Sequence, residues 1–175
     1  MYAIENELNK IYKALFFCTN GLSLPPVILC IGSDRVTGDC FGPLVGEELI
    51  RRHNINTFVY GTLSTPVTAL NIVDTAAFLK SRHPHRRVLA IDSALGIKRE
   101  IGCLRVFDEG LYPGAAVGKT LPKVGDFSLT ATVAEQNPSE LAWVRLGLIV
   151  PLARAAAIEI ARVFKAFRHH PAASC

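Results

Sequence analysis

Two aspartates in this sequence stand where acid–base chemistry could take place. Asp39 lies in a loop that also carries Asp34, the stretch "GSDRVTGDCFGP" (32–43), which follows the apolar run "VILCI" (27–31). Asp92 directly follows the apolar residues "VLAI" (88–91), where strand propensity does not account for an acid. Two carboxylates in one crevice can hold different protonation states, activate a water and protonate a leaving amine. Each also has a structural interpretation, as a turn, cap or strand-end residue.

The elements that must position these acids form an alternating pattern of strands and helices. An amphipathic helix is predicted over about 3–17, a helix from Pro43, another from Pro66 to about Lys80, and a long one with Pro151 near its start. The segment 141–146 is ambiguous between strand and helix. Strands are predicted at 27–31, 57–62, 87–92, 102–107 and 127–133. The alternation predicts an α/β protein, a three-layer α/β/α sandwich with a mainly parallel sheet.

The expected sheet brings the loops after the first three strands to one rim. Ligands of open α/β sheets bind outside the carboxyl ends of the strands, where strand order reverses. If the order begins 2-1-3, Asp39 and Asp92 share that rim, and we expect their carboxyl groups within about 10 Å of each other. The loop after strand two, "YGTLSTPVTALN" (60–71), reaches the same rim, so Thr62 and Pro66 are candidate substrate-binding residues.

Two lysines are further candidates. Lys119 and Lys123 lie on the loop after strand four, which is rich in Gly and Pro. They could bind an anionic group or a substrate carboxylate, and a solvated loop is the alternative interpretation.

Composition narrows the class of protein. The 175 residues are half hydrophobic and 19% charged, which predicts a single domain over 1–175 with an ample core. A tail from about 168 to 175 is expected to be frayed. The net charge of +4 is scattered and does not indicate nucleic-acid binding. Five cysteines without a CxxC spacing predict reduced thiols in a cytoplasm-like compartment. We expect neither a leader peptide nor a membrane-spanning segment. The sequence does not decide between a monomer and a homo-oligomer.

Four segments together resemble a known family. They are "CIGSDRVTGDCFGPLVG" (30–46), "VYGTLSTPVTALN" (59–71), "AIDSALG" (90–96) and "PGAAVGKTLPKVGD" (113–126). In this order they are similar to the signature segments of the YyaC family of sporulation proteins. That family is related to the spore germination protease and more distantly to hydrogenase maturation endopeptidases. The resemblance implies a mixed-sheet α/β sandwich, phosphorylase/hydrolase-like as in the maturation endopeptidases.

The resemblance also implies roles for the two acids. In the germination protease, catalysis is attributed to one Asp in a "D-x-x-G-P" loop and one at a strand end, which match Asp39 and Asp92. It therefore implies an aspartate-dependent endopeptidase whose substrate is a protein of the forespore or spore interior, with small acid-soluble spore proteins as candidates. The alternative is a catalytically inactive sporulation protein that uses the same crevice for binding.

The same resemblance bears on metal binding. In the maturation endopeptidases the matching acidic positions bind nickel together with a His further along the chain. Here the corresponding stretch "SLTATVAEQNPSE" (128–140) has no His, although Glu135 could add one oxygen. Because nickel and zinc sites usually include imidazole or thiolate, we expect no tightly held metal and no cofactor.

Other chemistries have less support in the sequence. Cys40 could act as a nucleophile only with a base or a positive field nearby, and no His can be placed there. Ser93 follows Asp92 but has no visible base. Gly32, Gly38 and Gly42 do not have the spacing of a dinucleotide-binding loop.

Overall fold

The computed structural model describes residues 24–114 and 121–168, with side chains as far as residue 165. The predicted helix over 3–17 lies outside the described residues, as does the predicted tail apart from residue 168. Among the helices of the described ranges, none combines the length and apolar character needed to cross a membrane.

A five-stranded sheet with the order β2-β1-β3-β5-β4 forms the centre of the fold. Strands β1, β2, β3 and β5 pair in parallel, and β4 pairs antiparallel to β5. The predicted order 2-1-3 is therefore confirmed, with strand one between strands two and three. The strands are β1 (Val27–Cys30), β2 (Val59–Tyr60), β3 (Val88–Gly96), β4 (Leu104–Phe107) and β5 (Phe127–Glu135).

Helices cover both faces of this sheet. Successive residues of β1 alternate between two buried clusters, because neighbouring side chains of a strand point to opposite faces. Ile28 and Cys30 pack with residues of α1 and α3, whereas Val27 and Leu29 pack with residues of α2. The three layers of the predicted sandwich are thus present. The helices are α1 (Phe41–Arg51), α2 (Ile72–Arg82) and α3 (Leu146–Arg168).

One predicted helix start was wrong. Helix α2 begins at Ile72 and not at Pro66, because the intervening residues form other contacts. Val67 pairs with Ile31 as a parallel bridge beside β1. The Asn71 side-chain oxygen accepts a hydrogen bond from the Thr68 backbone N–H at 2.8 Å, which closes a turn immediately before the helix.

The end of β3 also differs from the prediction. The strand continues past Asp92 to Gly96, since β5 pairs with it over that whole length. Asp92 therefore lies inside a strand. The ambiguous segment 141–146 is not a strand: it holds the end of a 3₁₀ helix at Pro138–Trp143 and the start of α3. Two other 3₁₀ helices lie at Thr37–Cys40 and Lys98–Glu100.

Candidate active site

Asp92 lies at the step where β1 ends and β3 continues. The pairing of β1 with β3 ends at Cys30 and Ile91, and the Ile31 N–H donates to the Ile91 carbonyl at 2.7 Å. On the other edge of β3, Asp92 is still paired with Thr130 of β5. Only 9% of Asp92 is exposed, so its carboxyl group is held in the interior beside the point where β1 stops.

Asp39 is positioned by a tight turn directly after β1. Gly32 has φ +138°, and a Cβ at this position would come within 2.0 Å of the Asp39 carbonyl oxygen. The Ser33 N–H donates to that same carbonyl at 3.1 Å, and the Asp39 N–H donates to the Val36 carbonyl at 2.9 Å. Only glycine allows this close approach of the two chain segments. The loop is thereby folded back on the end of β1, which fixes the place of Asp39.

A second contact anchors the same loop from outside. Gly38 packs so closely against the 3₁₀ helix Pro138–Trp143 that an added Cβ would lie 2.8 Å from the Leu141 carbonyl oxygen. Asp39 is next to this contact, and α1 begins at Phe41. The contact thereby holds the loop that carries Asp39 against this 3₁₀ helix, just before α1.

Both acids open into one cavity of about 250 Å³. Because both acids border this space, the negative charge of Asp39 raises the pKa of Asp92. The structure thus brings together the two residues that the sequence placed on one rim. The other described residues of the wall are uncharged: Ser93, Ala94, Leu95, Leu111, Tyr112, Gly114, Thr130 and Leu141.

The surroundings of the pair give its members different proton affinities. Burial raises the pKa of Asp92 well above its ordinary value of 3.8, and the Asp39 charge raises it further. The Ser93 N–H donates to Asp92 Oδ1 at 2.8 Å and acts in the opposite direction. Burial also raises the pKa of Asp39, while the backbone N–H of Ser33 opposes that shift. Asp92 is therefore the member that keeps its proton to higher pH.

The donor set does not fit a nickel site. In residues 24–114 and 121–168, no group of three or more His, Cys, Asp or Glu side chains could hold a metal ion. Glu135 is exposed at the end of β5 and is not part of the wall of this cavity, so it does not add the expected oxygen. Two carboxylates without imidazole or thiolate lack the ligands that nickel and zinc usually have.

Thr62 and Pro66 lie apart from the acidic pair. Thr62 is buried, and its hydroxyl is within 2.9 Å of the Thr65 hydroxyl and 3.1 Å of the Ser64 hydroxyl. The Pro66 carbonyl accepts from the Asn71 side-chain amide at 3.2 Å. Neither residue contributes to the wall around the two acids, and both hold the loop that follows β2.

Lys123 is likewise not part of that wall. Its Nζ is 2.5 Å from a carboxylate oxygen of Glu109 and 5.9 Å from the ring centre of Tyr112. The side chain lines a second cavity, of about 370 Å³, together with His83 and other residues on the α2 side of the sheet. Lys119 lies outside the described residues.

The alternative nucleophiles do not have reactive surroundings. Cys40 is buried, and burial raises the pKa of its thiol, with the charges of Asp34 and Asp39 adding to the shift. A thiol with a raised pKa is a poor nucleophile at neutral pH. Ser93 lines the cavity, and its backbone N–H is bonded to Asp92.

The residues that sequence reasoning missed form the other walls of the cavity. Ala94 and Leu95 were not predicted, because β3 was expected to end at Asp92. Leu141 comes from a segment whose structure was ambiguous, and Thr130 from the middle of β5. The run "SALG" (93–96) carries no signal of its own for a longer strand, because small residues and glycine have low strand propensity.

Comparisons with known proteins agree with this architecture. The model of a family described as "Protein of unknown function (DUF1256)" matches residues 1–158. The uncharacterized protein YyaC of Bacillus subtilis (strain 168) is 40% identical over 132 residues, which are 74% of this chain and 64% of that protein. The chain therefore spans less than two thirds of the length of this relative.

A solved structure has the same fold. The crystal structure of the NiFe hydrogenase maturation protease HycI from Thermococcus kodakarensis KOD1 superimposes with a TM-score of 0.51, covering 81% of this chain and 92% of that one at 22% identity. A likeness at this identity is evidence of fold alone. The expected α/β/α sandwich and the resemblance to YyaC are both confirmed.

Proposed function

This chain belongs to the DUF1256 family, whose function is unknown. From its acidic pair we propose that it is an endopeptidase. The observation that carries the proposal is that Asp39 and Asp92 share one cavity while their environments give them different pKa shifts. Pairs of titratable groups whose environments separate their pKa values are suited to act as base and acid.

The roles follow from the positions of the two side chains. Asp39, which is less deeply buried than Asp92, is the base that takes a proton from a water molecule. The resulting hydroxide adds to the carbonyl carbon of the peptide. Asp92, which keeps its proton to higher pH, donates that proton to the leaving nitrogen as the C–N bond breaks. The products are a new carboxyl group and a new amine, and one water is consumed.

The uncharged residues of the described wall support this assignment of Asp39 as base and Asp92 as acid. Apart from the two acids, the residues around the cavity in the described part of the chain are small, apolar or neutral polar. In such surroundings the proton on Asp92 and the charge on Asp39 interact more strongly than they would in water. No basic side chain of the described wall is placed to neutralise both acids at once.

The substrate and the compartment are inferred from the motif resemblance to sporulation proteins. We infer that the enzyme acts on a protein of the developing or germinating spore, in the forespore or spore interior. Small acid-soluble spore proteins are the first candidates, because the resemblance extends to the germination protease.

The test is direct. Purified protein is incubated with small acid-soluble spore proteins, and mass spectrometry identifies any new termini. Asp39→Asn and Asp92→Asn should each lower the cleavage rate by at least about 100-fold, which is the scale of a lost acid–base group. Asp34→Asn is the matched control, since it removes the same charge from an exposed position in the same loop and should cleave like the original protein.

The alternative function has a distinct outcome in the same experiment. A protein that only binds would retain the spore proteins without producing new termini. Cleavage that persists in both Asn variants would show that the acidic pair does not perform the chemistry.

A further inference from the structure

One edge of β3 has no strand beside it where it passes the acidic pair. β1 pairs with β3 only as far as Ile91, whereas β3 continues to Gly96 with β5 on its other edge. In the described part of the chain, no strand takes the place of β1 along residues 93–96. The turn at Gly32 directs the chain away into the loop that carries Asp39.

The direction of the backbone groups on this edge follows from strand alternation. The Ile91 carbonyl accepts from the Ile31 N–H, so the backbone groups of Ile91 face the β1 side. Backbone groups of every second residue in a strand face the same edge. Those of Ser93 therefore also face the β1 side. The register with β5 shifts between Ala94 and Leu95, where β5 carries one extra residue, Val133, so we infer that β3 itself keeps its alternation as far as Leu95.

The hydrogen bonds of β5 agree with this assignment. Thr132 uses both its backbone groups toward the β4 side, donating to the Cys103 carbonyl at 3.0 Å and accepting from the Gly102 N–H at 2.8 Å. Its neighbour Ala131 therefore faces β3, where it meets the groups of Asp92 and Ala94 rather than those of Ser93.

The available groups begin directly beside the acids. The Ser93 N–H is bonded to Asp92 Oδ1 at 2.8 Å. By the same alternation, the Ser93 carbonyl and the Leu95 N–H face the edge beyond the end of β1. Ser93, Ala94 and Leu95 also line the cavity that contains Asp39 and Asp92. A row of backbone donors and acceptors thus leads out from the carboxyl pair.

From this geometry we propose that the ligand of the site is an extended peptide segment that adds to the sheet as a strand along Ser93–Leu95. The proposal rests on the proposed function for the view that the bound peptide is a substrate. The peptide takes the place that β1 leaves beyond Ile91, with the bond to be cleaved at the end next to Asp39 and Asp92. Main-chain hydrogen bonds supply affinity in such complexes, and alternate side chains supply specificity.

The walls indicate which side chains the peptide carries. Leu95, Leu111 and Leu141 lie around the cavity, and no charged group other than the two acids is found in its described wall. The residues on either side of the cleaved bond are therefore uncharged and small or apolar, because a buried charge without a partner is unfavourable.

Hydrogen exchange of single backbone amides tests the inference. A random library of ten-residue synthetic peptides is passed over the immobilised Asp39→Asn/Asp92→Asn variant, and retained peptides are identified by mass spectrometry. The strongest binder is added to ¹⁵N-labelled variant. We expect exchange of the Leu95 amide to slow at least about tenfold, since it becomes a ladder donor. The Ala94 amide, which faces β5 in both states, is the internal control and should not change.

Two chemical perturbations separate strand addition from other modes of binding. Methylation of single amide nitrogens in the bound peptide should weaken binding about tenfold at alternate positions and little at those between, because only every second amide faces β3. Leu95→Pro removes the donor on the protein side and should weaken binding by a similar factor. Gly147→Ala, at a helical position that is not part of the cavity wall, is the control and should bind as the parent does.

The outcomes are distinguishable from those of the proposed function. Slowed exchange at Leu95, together with binding that is sensitive to methylation at alternate peptide positions, supports strand addition. If the original protein then cleaves no peptide, only the hydrolytic proposal fails. Cleavage of peptides that leave Leu95 exchange unchanged overturns strand addition and leaves the hydrolytic proposal standing. Retention of no peptide, or equal sensitivity to methylation at all positions, overturns strand addition.

Discussion

Replacement of Asp92 by Asn should stabilise the protein as the pH rises, although it removes the proposed acid. Asn has nearly the same shape, remains neutral, and its side-chain oxygen can accept the hydrogen bond that the Ser93 N–H now donates. The substitution therefore isolates the cost of ionising a buried carboxyl group. In the original protein this cost appears because burial and the Asp39 charge raise the pKa of Asp92.

The sign and size follow from proton linkage. Between the unfolded pKa, near 3.8, and the higher folded pKa, the folded chain holds a proton at Asp92 that the unfolded chain has released. Stability contributed by this group is thus fully present below the unfolded pKa and is lost as the pH rises to the folded pKa. The loss is about 1.4 kcal/mol per pH unit across that window and stops above it.

Urea unfolding at a series of pH values measures this effect. The unfolding free energy of the Asp92→Asn variant minus that of the original protein should increase with pH from about pH 4 and then level off at the folded pKa. Asp34→Asn, which changes an exposed acid in the neighbouring loop, should give a nearly flat difference. A flat difference for Asp92→Asn would contradict the raised pKa and remove the basis for assigning this residue as the acid.

Two further predictions concern the loop and the metal content. Gly32→Ala should destabilise the protein by about 2–4 kcal/mol in denaturant unfolding, because a Cβ would meet the Asp39 carbonyl oxygen and the backbone has a positive φ. Gly147→Ala, at a helical position with nothing within 4 Å, should change stability by less than about 1 kcal/mol. Elemental analysis of protein purified without chelator or affinity tag should find no stoichiometric nickel or zinc. Stoichiometric metal that is lost in Asp39→Ala and Asp92→Ala would refute the inference drawn from the donor set.

The order of the first three strands and the meeting of the two acids could be predicted from the sequence. The run Val27–Cys30 is apolar at every position, as expected of a strand covered on both faces, and the structure buries all of it. Parallel strands bring their carboxyl ends to one side, so the loop after β1 and the acid of β3 had to approach one another. These inferences need only local pattern and handedness, which the sequence carries.

The length of β3 could not be predicted in the same way. The segment 93–96 has small residues and a glycine, which have low strand propensity. It is a strand because β5, distant in the chain, pairs with it through Gly96 and Glu135. A similar long-range contact, the bridge between Ile31 and Val67, overrides the tendency of Pro66 to begin a helix.

The hydrogen-bond partners of the candidate binding side chains could not be predicted from the sequence either. Thr62 and Lys123 have residue types that suit substrate binding, but their polar atoms are within hydrogen-bond reach of Thr65 and Glu109. Whether a hydroxyl or an ammonium group faces a ligand or a neighbour depends on side-chain positions that periodicity does not contain. The sequence identifies which residues could bind, and the packing decides which of them face the cavity.

The early end of β1 connects the chemistry of the site to its architecture. Because β1 stops at Cys30, Asp92 is not covered by a neighbouring strand on that side, and the returning loop places Asp39 against the same opening. A carboxyl group at this point lowers stability as soon as it ionises, whereas Asn could accept the same hydrogen bond from Ser93 without that cost. A purely structural role, or a binding role that needs only a hydrogen-bond acceptor, would therefore be served as well by the amide. What Asp92 adds is a proton that can be released next to Asp39, and this favours catalysis over binding alone.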